Sequence, residues 1–560
     1  MNVHRPRYAL ALVAATHAWL VPLALSPLAL TPLALGAQQP RPAQQPRATR
    51  KPGTSQPPRK GAVAAPVASP STIDGFVRAH LDRAKLRPAP LSSDAVFVRR
   101  VYIDAIGVLP TADEARAFLA DSSPGKRSQL IDRLLERDAY ADYWAMKWSD
   151  VLRVKSEFPI NLWPNAVQAY HHWIRASLRD NVPFDRFARE LLTASGSNFR
   201  APPVNFYRAV QSHEPSALAA AAALTFMGTR TDRWPRERVS QMAAAFSQVG
   251  YKGTREWKEE IVFFDPDKPF PDARPGAPRT LTFPDGATAT LLPGQDPREA
   301  FATWLTAPRN PYFARAAVNR VWSWLTGRGI VHEPDDLRAD NPPSNPQLLA
   351  FLERDFVASG FDLKHLIRLI LNSSTYQAAS SGGSTGAEAD AAFAHYLMRP
   401  LDAEVLIDAI DDITGASEPY TSAIPEPFTF TPPGQRAVAL ADGSITSPFL
   451  ITFGRSRRDT GLESERDTRP TAAERLALLN SSQIQRKFDQ STRLQALGQR
   501  SGGGRAAIDA LYLTILSRYP TDDEVRIASE YAQSPTANRR TAGLDLAWAL
   551  VNTSEFLYRH

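Results

Sequence analysis

Asn319-Arg320 and Asp335-Asp336 fall in one polar-rich stretch, 310–344, which reads NPYFARAAVNRVWSWLTGRGIVHEPDDLRADNPPS. Adjacent carboxylates can serve as hard oxygen ligands or as an acid and a base, and a neighbouring arginine can orient them or a substrate. The same residue types also make a plain loop held by an ion pair and an Asx-type turn. A second cluster joins Phe453-Gly454-Arg455 to Glu463, Glu465 and Arg466. Glutamates one residue apart share a side if the segment is extended, although a structural arginine and glutamate network uses the same residues. A third region gathers Tyr140, Tyr143, Trp144, Trp148, Trp163, Tyr170 and Trp173 with Asp150, Arg153 and His171-His172. Aromatic faces beside polar groups stack on sugars or peptides. Trp144 and Trp148 lie four residues apart, however, which puts them on one helix face and favours the core. The catalytic candidates are therefore Asp335, Asp336, Asn319, Arg320, Glu463, Glu465 and Arg466. The ligand-binding candidates are Trp144, Trp148, Asp150, Arg153 and Arg455. No metal and no cofactor is expected: the chain has no cysteine, and His213, His332, His365 and His395 show no ligand spacing such as HExxH. There is no GxSxG elbow, P-loop or dinucleotide fingerprint.

The elements that must position these residues read as mainly α, helical bundles with small β-hairpin insertions. Apolar residues return every three or four positions in 128–135 and 348–356. Pro284-Asp285-Gly286 between two β-prone runs predicts a hairpin over 280–292, and Asp442-Gly443 a similar one within 437–453. Proline-rich 266–278 reads as a linker and 380–386 as a flexible loop. There is also an internal echo. Tyr102, Pro110, Thr111, Asp113, Glu114 and Arg116 recur as Tyr512, Pro520, Thr521, Asp523, Glu524 and Arg526, at a constant offset of 410. Each copy holds a capping box, Thr111 with Glu114 and Thr521 with Glu524, which predicts a helix start. A third helix is expected after each copy and after the central block, over 130–140, 546–556 and 366–376. Tyr140, Phe556 and Tyr376 would be core anchors where these helices end.

A chain of 560 residues can bury large cores and form two or three domains. Arg5 and Arg7, an apolar run from Tyr8, and small residues at Ala34-Leu35-Gly36-Ala37 predict an export signal over 1–37. Prolines at 22, 27 and 32 disfavour a retained membrane helix, so no membrane span is expected after cleavage. Residues 38–72 are rich in Pro, Gln and basic side chains and read as a disordered tether. Eight basic and no acidic residues precede Ile73, so the net charge of +7 becomes −1 for the rest. That balance lacks the electrostatic footprint of a nucleic-acid binder.

The chain after the tether resembles the planctomycete cytochrome-associated proteins that join domain of unknown function 1549 (PSCyt2 type) to domain of unknown function 1553 (PSD1 type). Over 73–265 the resemblance is carried by Arg99-Arg100, Asp104, Gly107, Pro110, Tyr140 through Trp148 to Arg153, Pro183 to Phe187, and Lys252 to Trp257. After a linker with a hairpin at 266–296, it resumes over 297–560 in the 310–344 stretch, Leu401 to Glu404, Phe453 to Arg455, Glu465-Arg466 and Asn552 to Phe556. Many such proteins carry Cys-x-x-Cys-His after the helix that here ends Thr225-Phe226-Met227-Gly228, and a later Cys-Glu-Cys-Glu-Arg. This chain reads Thr229 to Pro235 and Leu462-Glu463-Ser464-Glu465-Arg466 instead. Any thiol-dependent role of relatives is therefore closed to it. The expectation is an exported, non-enzymatic binding or scaffold protein of the periplasm or cell surface, whose partner is an envelope protein or glycan and not nucleic acid. The alternatives are an enzyme acting on envelope or extracellular polysaccharide through paired carboxylates, and a partner of a separate cytochrome.

Overall fold

The run from Phe97 to Ile106 is apolar on every face except at Arg99, Arg100 and Asp104, and a helix of that kind belongs inside a protein. The computed structural model describes residues 69–271, 278–467, 469–500, 504–534 and 542–560. In it, all ten of those residues are buried within the helix Asp94–Ile106. Ser93 caps its start by accepting from the Val96 amide at 3.3 Å, and Gly107 ends it at φ 63°. Helices Ala112–Ala120, Lys126–Leu135 and Asp138–Val151 pack around it, and Gly504–Leu516 from the far end of the sequence packs on Ala112–Ala120. One continuous apolar core runs from Ile73 to Phe556. Residues 64–560 accordingly form one compact unit. The first helix, Pro70–Ala84, begins inside the segment expected to be tether. The expected signal, the tether up to residue 68 and linker residues 272–277 lie outside the described residues.

The fold is mainly helical with small sheets. Arg279–Thr282 pairs antiparallel with Thr288–Leu291, as the turn residues predict. Over 437–453 there is no hairpin. Asp442 turns its carboxylate onto the amides of Ser156 and Ser444, at 3.0 and 2.8 Å, and Ser447 caps a helix Pro448–Thr452. A three-stranded antiparallel sheet not expected from sequence joins Gly196–Ser197, Glu260–Phe264 and Val249–Gly253 in that order. Its longer hairpin carries the Lys252 to Trp257 motif at its tip.

Both capping boxes form, at Thr111 with Glu114 and Thr521 with Glu524. The three closing helices differ from expectation, because each breaks before its aromatic residue. Leu363–Leu371 gives way to Ser374–Gln377, Ala542–Val551 to Ser554–Leu557, and Lys126–Leu135 to Asp138–Val151. The Ser373 and Thr553 hydroxyls accept from the amides of Tyr376 and Phe556, both at 3.2 Å, which is how a new helix starts. Tyr140, Tyr376 and Phe556 thus sit in the first turn of a following helix, each buried to within 1%. Arg99 donates to the carbonyls of Ile515 and Phe556, both at 2.8 Å, and Arg100 to those of Tyr376, Ala378 and His560 at 2.7 to 2.8 Å. The central helix therefore holds two of the three turns by their main chain. Replacing Phe556 by Ala is expected to lower stability by about 3 to 5 kcal/mol, read from denaturant unfolding. An unchanged midpoint would remove Phe556 from the anchoring role.

Candidate functional site

The helix Phe313–Thr326 follows from an apolar stripe interrupted by Asn319-Arg320, and it ends at Gly327. Asn319 is fully buried. Its amide nitrogen donates to the Val331 carbonyl and its oxygen accepts from the Val331 amide, both at 2.9 Å, which fixes the chain after Gly327. Arg320 reaches the Thr225 and Leu224 carbonyls at 2.9 and 3.2 Å, and its guanidinium pairs with Asp335 at 2.7 Å. Those carbonyls close the helix Pro215–Met227, whose cap Gly228 lies at φ 59° with the Leu337 side chain 2.9 Å from where a Cβ would stand. The other Asp335 oxygen accepts from the Glu463 amide at 2.6 Å. Asp336 faces elsewhere, toward Arg338 at 2.7 Å and Arg230 at 3.6 Å. The adjacent carboxylates do not converge, because each is drawn to a different guanidinium.

Glu463 and Glu465 diverge as well. They lie in a short 3-10 turn, Glu463–Glu465, and not in an extended segment. Glu463 accepts from the Trp324 indole at 2.8 Å, while Glu465 accepts from the Asp459 and Thr460 amides at 3.1 and 2.7 Å. Burial raises the Glu463 carboxyl above its ordinary range, with Lys147 opposing and Asp335 adding to the rise. Arg466 is the centre of the second cluster. It pairs with Asp150 at 2.7 Å and with Glu404 at 2.6 Å, and Arg455 reaches Glu404 at 3.2 Å. Arg458 takes the remaining Asp150 oxygen at 2.9 Å. Gly454 is required at the turn between these arginines and the helix Pro448–Thr452: at φ 73° its Cβ would stand 2.1 Å from the Asp467 carbonyl. Arg153 is buried and donates to the Ala209 carbonyl at 2.7 Å. Trp144 and Trp148 are each only 1% exposed and pack edge-on against Trp324, so neither offers a face to a ligand.

Sequence reasoning passed over the residues that extend this network. Asp402 accepts from Lys147 at 3.0 Å and from Arg559 at 2.7 Å. Asp104 accepts from the Tyr376 and Tyr396 hydroxyls at 2.9 and 2.8 Å and pairs with Arg399 and Arg559. Asp104, Asp402 and Glu404 stand in the stretches that carry the family resemblance, but nothing in the sequence marks them as members of a site. Burial alone would raise the Asp150 and Glu404 carboxyls, but the Arg466 guanidinium, helped by Arg458 at Asp150 and Arg455 at Glu404, holds both below the usual range. For Asp402, burial is likewise outweighed by Arg559 and Lys147, and its carboxyl lies well below the ordinary value. Among the described residues, no group of three or more His, Asp or Glu side chains is arranged to hold a metal ion.

A different cluster does reach the surface. Trp257, at the tip of the Val249–Gly253 and Glu260–Phe264 hairpin, is 70% exposed, and its ring lies 6.5 Å from that of Trp163. Phe428, 49% exposed, lies 5.3 Å from Trp163 on another loop, and the Lys258 ammonium stands over both indoles at 5.6 and 5.3 Å. Sequence grouped Trp163 with the aromatic-rich region but did not bring Trp257, Lys258 or Phe428 to it.

Residues 72–249 match the family described as PSCyt2, a protein of unknown function (DUF1549), and residues 297–532 match PSD1, a protein of unknown function (DUF1553). The chain belongs to this two-part family. No curated protein and no solved structure matches it. The ion network bridges the two parts, because Asp104, Lys147 and Asp150 lie in the PSCyt2 segment and Asp402, Glu404, Arg455, Arg458 and Arg466 in the PSD1 segment. Replacing Arg466 by Ala leaves Asp150 and Glu404 buried without their main partner and is expected to cost about 3 to 5 kcal/mol in denaturant unfolding. The two depressed carboxyls also set a pH dependence. Their stabilisation is present above the unfolded value of about 4 and is lost as pH falls through their folded values below it. The denaturation midpoint should therefore drop steeply on acidification below about pH 4, and Asp150→Asn should flatten that drop. Equal acid sensitivity in the variant would exclude Asp150 as a source.

Proposed function

We propose that this protein is an exported, non-enzymatic binding component of the cell envelope, and that its ligand is a glycan. The observation that carries the reading is the exposed Trp163, Trp257 and Phe428 cluster with Lys258 across its indoles. Large apolar rings held in water have a cost, and sugar rings offer the matching flat C–H faces while their hydroxyls stay solvated. Trp257 is presented on a hairpin and Phe428 on a separate loop, so the cluster depends on the fold and is not one flexible side chain. The enzymatic alternative draws less support from the same structure. A paired-carboxylate hydrolase needs two carboxyl groups about 5 to 9.5 Å apart across an open cleft, whereas Asp335, Asp336, Glu463 and Glu465 are each engaged by an arginine, an indole or main-chain amides. No helix among the described residues is long and apolar enough to cross a membrane. That fits a protein which reaches its ligand in solution or at a surface.

The test is retention of the full chain on immobilised, uncharged envelope polysaccharide, with reducing ends counted in parallel. Expected are retention without new reducing ends, and at least a tenfold loss of retention in Trp257→Ala with an unchanged melting curve. Equal retention in the variant would remove the cluster from ligand binding. Polysaccharide cleavage that Asp336→Ala abolishes without loss of stability would establish the enzyme instead. Export is checked separately, by N-terminal sequencing of the protein recovered outside the cytoplasm, where a start at Gln38 is expected.

A further inference from the structure

A cavity lies apart from the residues of that reading. We propose that it is a site for an oxyanion ester, a sulfate or phosphate monoester carried on a sugar-sized body. It is an opening of about 680 Å³ between the turn Thr231–Arg233, the start of the helix Arg236–Ala243, the helix Phe313–Thr326 and the loop 337–343. That volume suits one small ligand. Four arginines line it, Arg233, Arg238, Arg315 and Arg338, beside the rings of Trp234 and Tyr312.

Two of the four are neutralised. Arg315 pairs with Glu353 at 2.7 Å, and Arg338 with Asp336 at 2.7 Å and Asp340 at 3.4 Å. Among the described residues, Arg233 and Arg238 have no carboxylate partner. Arg238 is nevertheless held in place. Its guanidinium lies 4.0 Å from the centre of the Trp234 ring and donates to the Tyr312 hydroxyl at 3.0 Å, while its Nε is buried without a hydrogen-bond partner. A guanidinium fixed by a ring and a hydroxyl, with no carboxylate beside it, keeps its remaining Nη donors for an acceptor that the protein does not provide. Because Tyr312 accepts from Arg238, its own proton is available to a ligand oxygen.

The shape of the anion follows from where the charges come from. Arg233 stands on a 3-10 turn and Arg238 on a helix, so their donors approach from separate elements. A tetrahedral group presents acceptor oxygens in several directions and meets both, whereas a planar carboxylate presents one edge. Trp234 and Tyr312 supply apolar wall for the body that carries the ester. A polynucleotide is a poorer match, since the chain beyond the tether is near neutral.

The experiment is titration calorimetry of the full chain at low ionic strength with glucose 6-sulfate, glucose 6-phosphate and glucose. Expected is saturable binding of one or both esters, with none of glucose, weakened at least tenfold in Arg233→Ala and Arg238→Met. Preference for one ester identifies the source of the oxyanion. Arg233 is exposed, so its variant is expected to melt like the parent, and Arg233→Glu carries the test if Arg238→Met fails to fold. No saturable binding of either ester, or unchanged affinity in the Arg233 variants, overturns the proposal. Neither result bears on retention through Trp257, so the two sites stand or fall separately.

Discussion

Burying a charge is expensive unless its partners are all in place, and this fold buries a connected series of them. Asp104, Arg559, Asp402 and Arg466 follow one another at contact distance through the interior, and Arg466 branches to both Glu404 and Asp150. Each ion is desolvated, and each is satisfied by groups from distant parts of the chain. The arrangement is therefore all-or-none: a partly assembled core would hold unpaired charges at several kcal/mol each. The two family segments share that interior, so neither has a complete set of counter-ions of its own.

The 310–344 stretch illustrates how residue types can be right while their role is not visible. Asn319, Arg320 and Asp335 do form a polar constellation. What they bind, however, is the main chain of Val331, Leu224, Thr225 and Glu463, and main-chain partners leave no trace in a sequence. Local features were legible for the converse reason. A capping box closes within four residues, and the 279–291 hairpin within a few more, so their chemistry is contained in the letters that encode them. Glu463 and Glu465 fall between these cases, since a single turn of 3-10 geometry decides whether their side chains meet. Trp257 was legible only as part of a motif. Its exposure depends on a hairpin whose strands lack clear alternation.

The helix Pro215–Met227 is followed by Thr229 to Pro235, a stretch with neither cysteine nor histidine. That segment is also where an arginine-lined opening begins, at Thr229, Arg233 and Trp234. The scaffold holds the start of this stretch: the helix Pro215–Met227 is fixed from behind by Arg320, and the segment that follows it is anchored where Leu337 donates to the Gly228 carbonyl at 2.9 Å.

Arg559 lies at the junction of Asp104 and Asp402, and of all the residues that build this interior it is among the last to leave the ribosome. The centre of the fold is therefore complete only when this late residue has joined the helix Asp94–Ile106. Until Arg559 is in place, Asp104 and Asp402 each lack one of the cations that surround them in the finished fold.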